Sequence, residues 1–116
     1  MGDHLVALLY YLTATMELKE LEARMHAFVR DKGWYEVDSP KPQTPRNLAA
    51  SLLLEAAEVL EHFQWREDVQ DREALAGELA DVALYLLQLA SVTGIDLEEA
   101  ILDKLEINRR REWPEP

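Results

Sequence analysis

The chain predicts an all-α fold, a four-helix bundle, on three observations. Apolar residues recur at helical spacing and nowhere alternate as a half-buried strand would. The periodic runs are bounded by residues that start and stop helices. Apolar residues make up 48% of 116 positions, enough for one core, and neither repeats nor low-complexity segments divide the chain. A single domain over residues 1–116 is therefore expected.

The first helical region is expected from about residue 3 to about residue 31, with Leu18, Leu21, Met25, Phe28 and Val29 as its stripe. Thr13 and Thr15 interrupt the pattern, and Met16 opens a fresh helical start. Residues 1–15 thus read either as an added N-terminal segment or as an upstream start choice. Gly33 ends this helix, and Trp34 to Thr44, with Pro40 and Pro42, is expected to be an ordered non-helical loop. Thr44-Pro45 combines an N-cap with a proline at the first helical position, which predicts a second helix to about Gln64. Its core positions are Leu48, Leu52, Ala56, Val59, Leu60 and Phe63. Asp71 caps a third helix to about Thr93, apolar on nearly all sides except at Glu78, Asp81, Tyr85 and Gln88, and so predicted to be central. Gly94 ends it. Asp96 with Glu99 resembles a capping box opening a fourth helix to about Arg110. The first and third helices carry more apolar surface than a small four-helix unit can bury, which predicts a homo-oligomer.

Composition narrows function. A net charge of −11 argues against a broad surface for nucleic acid backbone. Cysteine is absent, which removes disulfides, thiolate metal sites and a cysteine nucleophile. The apolar run Leu5 to Leu12 is far shorter than the roughly 20 residues that span a bilayer, and no basic segment marks it as a leader. A soluble, cytoplasmic protein is expected. Glycines at 2, 33, 77 and 94 form no Gly-rich phosphate loop.

The chemistry concentrates in two pairs, Glu55-Ala-Ala-Glu58 and Glu78-Leu-Ala-Asp81. Carboxylates three apart lie about 60° apart around a helix axis, so two packed helices would aim four at one small volume. Unneutralised, they would repel and lose hydration; a hard divalent cation such as Mg2+, with Mn2+ as substitute, resolves this. Glu61 follows on the same helix as a further ligand, a base that orients water, or a surface acid. Lys104 and Asn108, four apart on the last helix, share a face suited to phosphate oxygens. At least two of Arg109, Arg110 and Arg111 are expected to serve the helix end or the surface instead. Tyr85, four after Asp81, either reaches the acids or is a core tyrosine. Trp34, Trp65 and Phe28 either stack on a flat base or simply fill space between helices.

At these residues the chain resembles the MazG-like all-α NTP pyrophosphohydrolases, most of all their single-domain dCTP pyrophosphatase-type branch. The matching text is Pro45-Arg-Asn-Leu-Ala, Glu55-Ala-Ala-Glu58-Val-Leu-Glu61-His-Phe-Gln-Trp65, Glu78-Leu-Ala-Asp81-Val-Ala-Leu-Tyr85, Gly94-Ile-Asp-Leu, and Lys104-Leu-Glu-Ile-Asn108-Arg-Arg-Arg111. The resemblance runs from about residue 17 to the end. It implies Mg2+-dependent hydrolysis of a nucleoside triphosphate, dCTP or a modified pyrimidine deoxynucleotide among the candidates, to monophosphate and pyrophosphate. The role implied is nucleotide-pool house-cleaning, and the assembly a homodimer or a dimer of dimers. It implies metal binding by Glu55, Glu58, Glu78 and Asp81, catalysis by Glu55, Glu58 and Glu61, and phosphate binding by Lys104, Asn108, Tyr85 and Arg111. Trp34 and Trp65 line the implied nucleobase pocket, with Gln43, His26 and Phe28 as further candidates. Three departures stand out: Gln43 occupies a place where relatives often carry histidine, the loop from Trp34 to Gln43 is longer than usual, and Arg111-Glu112-Trp113-Pro114 replaces a frequent Arg-Tyr-Pro ending.

Two other classes compete. A di-iron carboxylate bundle would place Glu-x-x-His on two helices, whereas the third helix here has no histidine. A non-catalytic oligomeric interaction module of the same fold would keep the acids only as remnants.

Overall fold

The structure is a computed structural model that describes Leu5 and residues 16–114. The expectation of an added helical contact within residues 1–15 lies outside the described residues. Four helices follow one another among these residues: α1 Leu18–Asp31, α2 Pro45–Glu61, α3 Arg72–Val92 and α4 Leu97–Arg110. No strand occurs among them.

The caps foreseen from sequence are in place. Thr44 accepts from the backbone N–H of Asn47, with Pro45 opening α2. Asp71 accepts from Ala74 N–H and Asp96 from Glu99 N–H. Each satisfies a donor that the helix start leaves unpaired. Both glycine stops are Schellman turns. Gly33 has φ +74°, its N–H reaches the Arg30 carbonyl, and the N–H of Trp34 reaches back to that of Val29 at 3.2 Å. Gly94, φ +75°, does the same, with Ile95 N–H to the Ala90 carbonyl at 2.8 Å. Only glycine enters this left-handed region without a Cβ clash. The first turn folds Trp34 back over α1, and the second sets Asp96 to cap α4.

Glu17 is the N-cap of α1, without a side-chain bond, beside the fresh start expected at Met16; the expected beginning near residue 3 lies outside the described residues. One boundary differs from expectation. α2 stops at Glu61, not near Gln64, because the N–H groups of His62, Phe63 and Gln64 turn to carbonyls three residues back.

α3 is central as predicted, lying against α2 most extensively, then α1, then α4. The core gathers Met25 and Val29 of α1 with Leu87 of α3, flanked by Leu18, Trp34, Tyr35 and Leu97. Leu48 and Ala90 are also buried. Several predicted core positions, Leu60, Leu79 and Leu86, are exposed instead; outside the predicted core, Leu53 at 71% and Leu105 at 61% are exposed too. Among the described residues nothing covers them, and α4 packs chiefly on α3. By length and composition α3 could cross a membrane. However, it carries Glu78, Asp81 and Gln88 on one stripe and contacts three helices of its own chain.

Candidate functional site: an acid cluster beside a cavity

The contact of α2 with α3 brings the two acidic pairs together. Glu55 is half-buried, and its carboxyl titrates above the ordinary range. Burial is the first cause; the charge of Glu58 and its hydrogen-bonding proximity come next, then the charges of Asp81 and Glu78. Glu55 Oε2 and Glu78 Oε2 are both buried without a hydrogen-bond partner. His62, just past α2, sets its Nε2 against Glu78 Oε2, a close contact rather than an aligned hydrogen bond. Buried carboxylate oxygens without donors are costly and match the oxygen-seeking chemistry of a hard cation. Among the described residues no three acidic or imidazole side chains converge into a finished ion cage. The donor set fits a divalent cation by type.

A cavity of about 920 Å³ opens beside the cluster. α1 supplies Arg24, Met25 and Phe28; the loop supplies Trp34, Lys41 and Gln43; α2 supplies Asn47, Ser51 and Glu55; α3 supplies Asp81, Tyr85 and Gln88. Thus Glu55, Asp81, Tyr85, Trp34, Phe28 and Gln43 share one space. Despite the long loop, Trp34 reaches the cavity, edge-on to Phe28 at 5.6 Å, with Lys41 Nζ 5.0 Å from its ring centre. The loop is tied down by Asn47 Nδ2, which donates to the Pro42 carbonyl at 2.9 Å.

Glu58 is exposed beside Glu55, and the remaining candidates stand elsewhere in the single chain. Trp65 is 87% exposed and outside the cavity. Glu61 and Lys104 are exposed, while Asn108 is half-buried with Oδ1 lacking a partner. Arg111 stacks on Trp113 at 4.4 Å. Arg109 and Arg110 both clamp Glu106, whose carboxyl they hold below the ordinary range. They are the two surface arginines that sequence foresaw. His26 lines a separate, shallower depression of about 540 Å³ and hydrogen-bonds Tyr35 and Ser91.

Sequence reasoning passed over Arg24, Lys41, Asn47 and Ser51 as lining residues, and Tyr35 and Ser91 as partners. The signal for Asn47 lay in the Pro45-Arg-Asn-Leu stretch, and that for Gln88 in the polar stripe of α3. Arg24 and Lys41 leave no trace in spacing, because tertiary contact alone brings α1 and the loop together.

A family model described as the MazG-like family matches residues 50–115. Human dCTP pyrophosphatase 1 is 39% identical over 98 residues, covering 76% of this chain and 55% of that protein. A dATP/dGTP diphosphohydrolase of cyanophage S-2L is 39% identical over 69 residues, covering 60% of this chain and 58% of that one. The chain thus spans little more than half the length of these relatives. The crystal structure of a pyrophosphatase from Archaeoglobus fulgidus superposes with a TM-score of 0.69 at 36% identity, covering 87% of this chain and 95% of that one.

Proposed function

This chain belongs to the MazG-like family, and from that premise we propose that it hydrolyses nucleoside triphosphates to the monophosphate and pyrophosphate with a divalent cation, Mg2+ in the first instance. The observation that carries the reading is the buried Oε2 of Glu55, which has no partner, beside the buried Oε2 of Glu78, which meets only His62, at the junction of α2 and α3, where Glu55 and Asp81 also line the cavity. Relatives whose names state action on dCTP or on dATP and dGTP support the substrate class.

Glu55, Glu58, Glu78 and Asp81 would hold the cation. When bound, it supplies Lewis-acid polarisation of the phosphate and neutralises charge on the departing pyrophosphate. The chain's own residues do the rest. Trp34 and Phe28 offer a wall for the base, and Gln43 offers its amide. Tyr85, between cavity and acids, donates to a phosphate oxygen. Lys104 and Asn108 on α4 receive the pyrophosphate through charge and hydrogen bonds, with Arg111 alongside. Glu61 orients the attacking water. Neither Lys104 nor Asn108 lines the cavity of one chain, so the reading includes a homo-oligomer, dimer or dimer of dimers, that brings α4 into place. A cytoplasmic, pool-cleaning role goes with it.

Turnover of a panel of nucleoside triphosphates with Mg2+ in 18O-labelled water tests the reading. Label in the monophosphate, with pyrophosphate as co-product, is expected, as attack on the α-phosphorus requires. Orthophosphate and a diphosphate would place the protein in another class, and absence of both turnover and Mg2+ binding would leave a non-catalytic module.

A further inference from the structure

One buried polar side chain has no part in the chemistry above. Gln88 lies on α3 seven residues after Asp81 and three after Tyr85, so it continues the same helical stripe. It is only 3% exposed, the one buried polar residue among those described. Its Nε2 donates to Gln43 Oε1 at 2.7 Å and to the Tyr35 hydroxyl at 3.3 Å. Gln43 in turn donates from its own Nε2 to the Lys41 carbonyl at 2.7 Å.

The direction of both amide hydrogen bonds in this chain follows from one group. A backbone carbonyl can only accept, so Gln43 must turn its NH2 to Lys41 and its oxygen to Gln88. Gln88 must then present its own NH2, which serves both Gln43 and the Tyr35 oxygen. The Tyr35 hydroxyl accepts from Gln88 and lies 2.6 Å from His26 Nδ1. Burial raises the Tyr35 phenol above its ordinary value. His26 Nε2 in turn lies 2.7 Å from Ser91 Oγ. Reversing either amide sets two acceptors against each other.

We propose that Gln88 is a positioning residue that fixes the amide of Gln43 through this relay, so that Gln43 meets a nucleotide base with an N–H donor and reads a ring nitrogen or carbonyl, not an amino group. The Gln43 oxygen is held by a buried neighbour, whereas its second N–H has no partner among the described residues and Gln43 lines the cavity. The proposal rests on the nucleoside triphosphate reading and adds what selects the base. A free amide would serve donors and acceptors alike; a fixed one discriminates.

The test has two arms, both on the full chain. In the free protein, proton exchange of the Gln88 side-chain amide reads the relay without any nucleotide. Exchange should speed up in Gln43→Met, which removes the acceptor of that amide, and unchanged exchange overturns the relay. The second arm measures Kd for the α,β-imido triphosphate of deoxycytidine and for the same compound lacking the 4-amino group. Binding of these compounds needs no turnover. Wild type should bind the two alike with respect to Gln43, so that Gln43→Met weakens both by the same factor, about fivefold to tenfold. Gln88→Met should reproduce that loss, and add nothing in a Gln43→Met background. Gln88→Glu should do more: the introduced carboxylate accepts only, turns the Gln43 amide over, and makes binding favour the compound that keeps its amino group. A folded Gln88→Glu variant with an unchanged ratio would overturn the proposal, as would equal losses from Gln88→Met with and without Gln43. If both analogues bind as described but no natural triphosphate is hydrolysed, the enzymatic reading fails and the base-selecting role of Gln88 stands. If neither analogue binds wild type, both fail.

Discussion

Glu55 carries the stored cost of the site. Its raised carboxyl means that the folded state binds more protons than the unfolded chain between the ordinary glutamate range and the folded value. Stability therefore falls as pH rises through that window, and the penalty is fully present above it. Metal-free protein should melt at a higher temperature just below the window than at neutral pH. Adding Mg2+ at neutral pH should recover the difference, which thermal melts by circular dichroism would show. The same logic governs substitution. Glu58→Gln and Asp81→Asn should abolish turnover while helicity persists, with a melting temperature in the absence of metal equal to or above that of wild type. Near-normal turnover in either variant at saturating Mg2+ would remove the acids from the catalytic assignment. Gln43→Ala belongs to a different class of change. It should reorder the preferred triphosphates far more than it lowers the maximal rate, and an unchanged order would place Gln43 outside substrate contact.

At the scale of the element, the helices were legible because their ends are chemical. Thr44, Asp71 and Asp96 cap where sequence put them, and Gly33 and Gly94 turn where sequence broke the pattern. The acid pairs were legible because i,i+3 spacing survives folding unchanged. What remained hidden depends on contacts between elements. Arg24 and Lys41 reach the cavity because α1 and the loop close on each other, and His26 is drawn to Tyr35 and Ser91, away from the base wall that the resemblance implied. An excess of apolar surface was legible, but which leucines stay open, Leu53, Leu60 and Leu79 among them, was not, because periodicity marks a residue as apolar without saying what covers it. Two substitutions probe the ends themselves. Asp71→Ala should cost about 1 kcal/mol of stability, through the orphaned Ala74 N–H, without altering substrate order. Gly33→Ala should cost a similar amount, about 1 kcal/mol, and also raise KM, since the turn that forces φ +74° delivers Trp34 to the cavity. Parallel denaturation and kinetics separate the two outcomes.

At the scale of the molecule, the single chain is loosely closed. Its radius of gyration is 18.1 Å, against about 13–14 Å for a compact domain of this length. Leucines on α2 and α3 and the apolar residues of α4 are exposed together. Surface of that kind is stable in water when a second copy covers it. Sedimentation at micromolar concentration should give a mass of at least two chains, and a strictly monomeric species would contradict this.

The loop between α1 and α2 hangs from side-chain amides: Asn47 holds Pro42 at one end, and Gln88 holds Gln43. The acids stand on different elements, α2 and α3, and none of their contacts passes through residues 34–43. On the proposed function, the part that chooses a base and the part that cleaves can therefore diverge independently under selection. Drift in about ten residues can carry the lineage from one nucleotide to another while the hydrolytic machinery stays as it is. Grafting the corresponding loop of a purine-preferring relative, with its own counterpart of Gln88, should move the preference and leave the metal requirement and the bond cleaved unchanged.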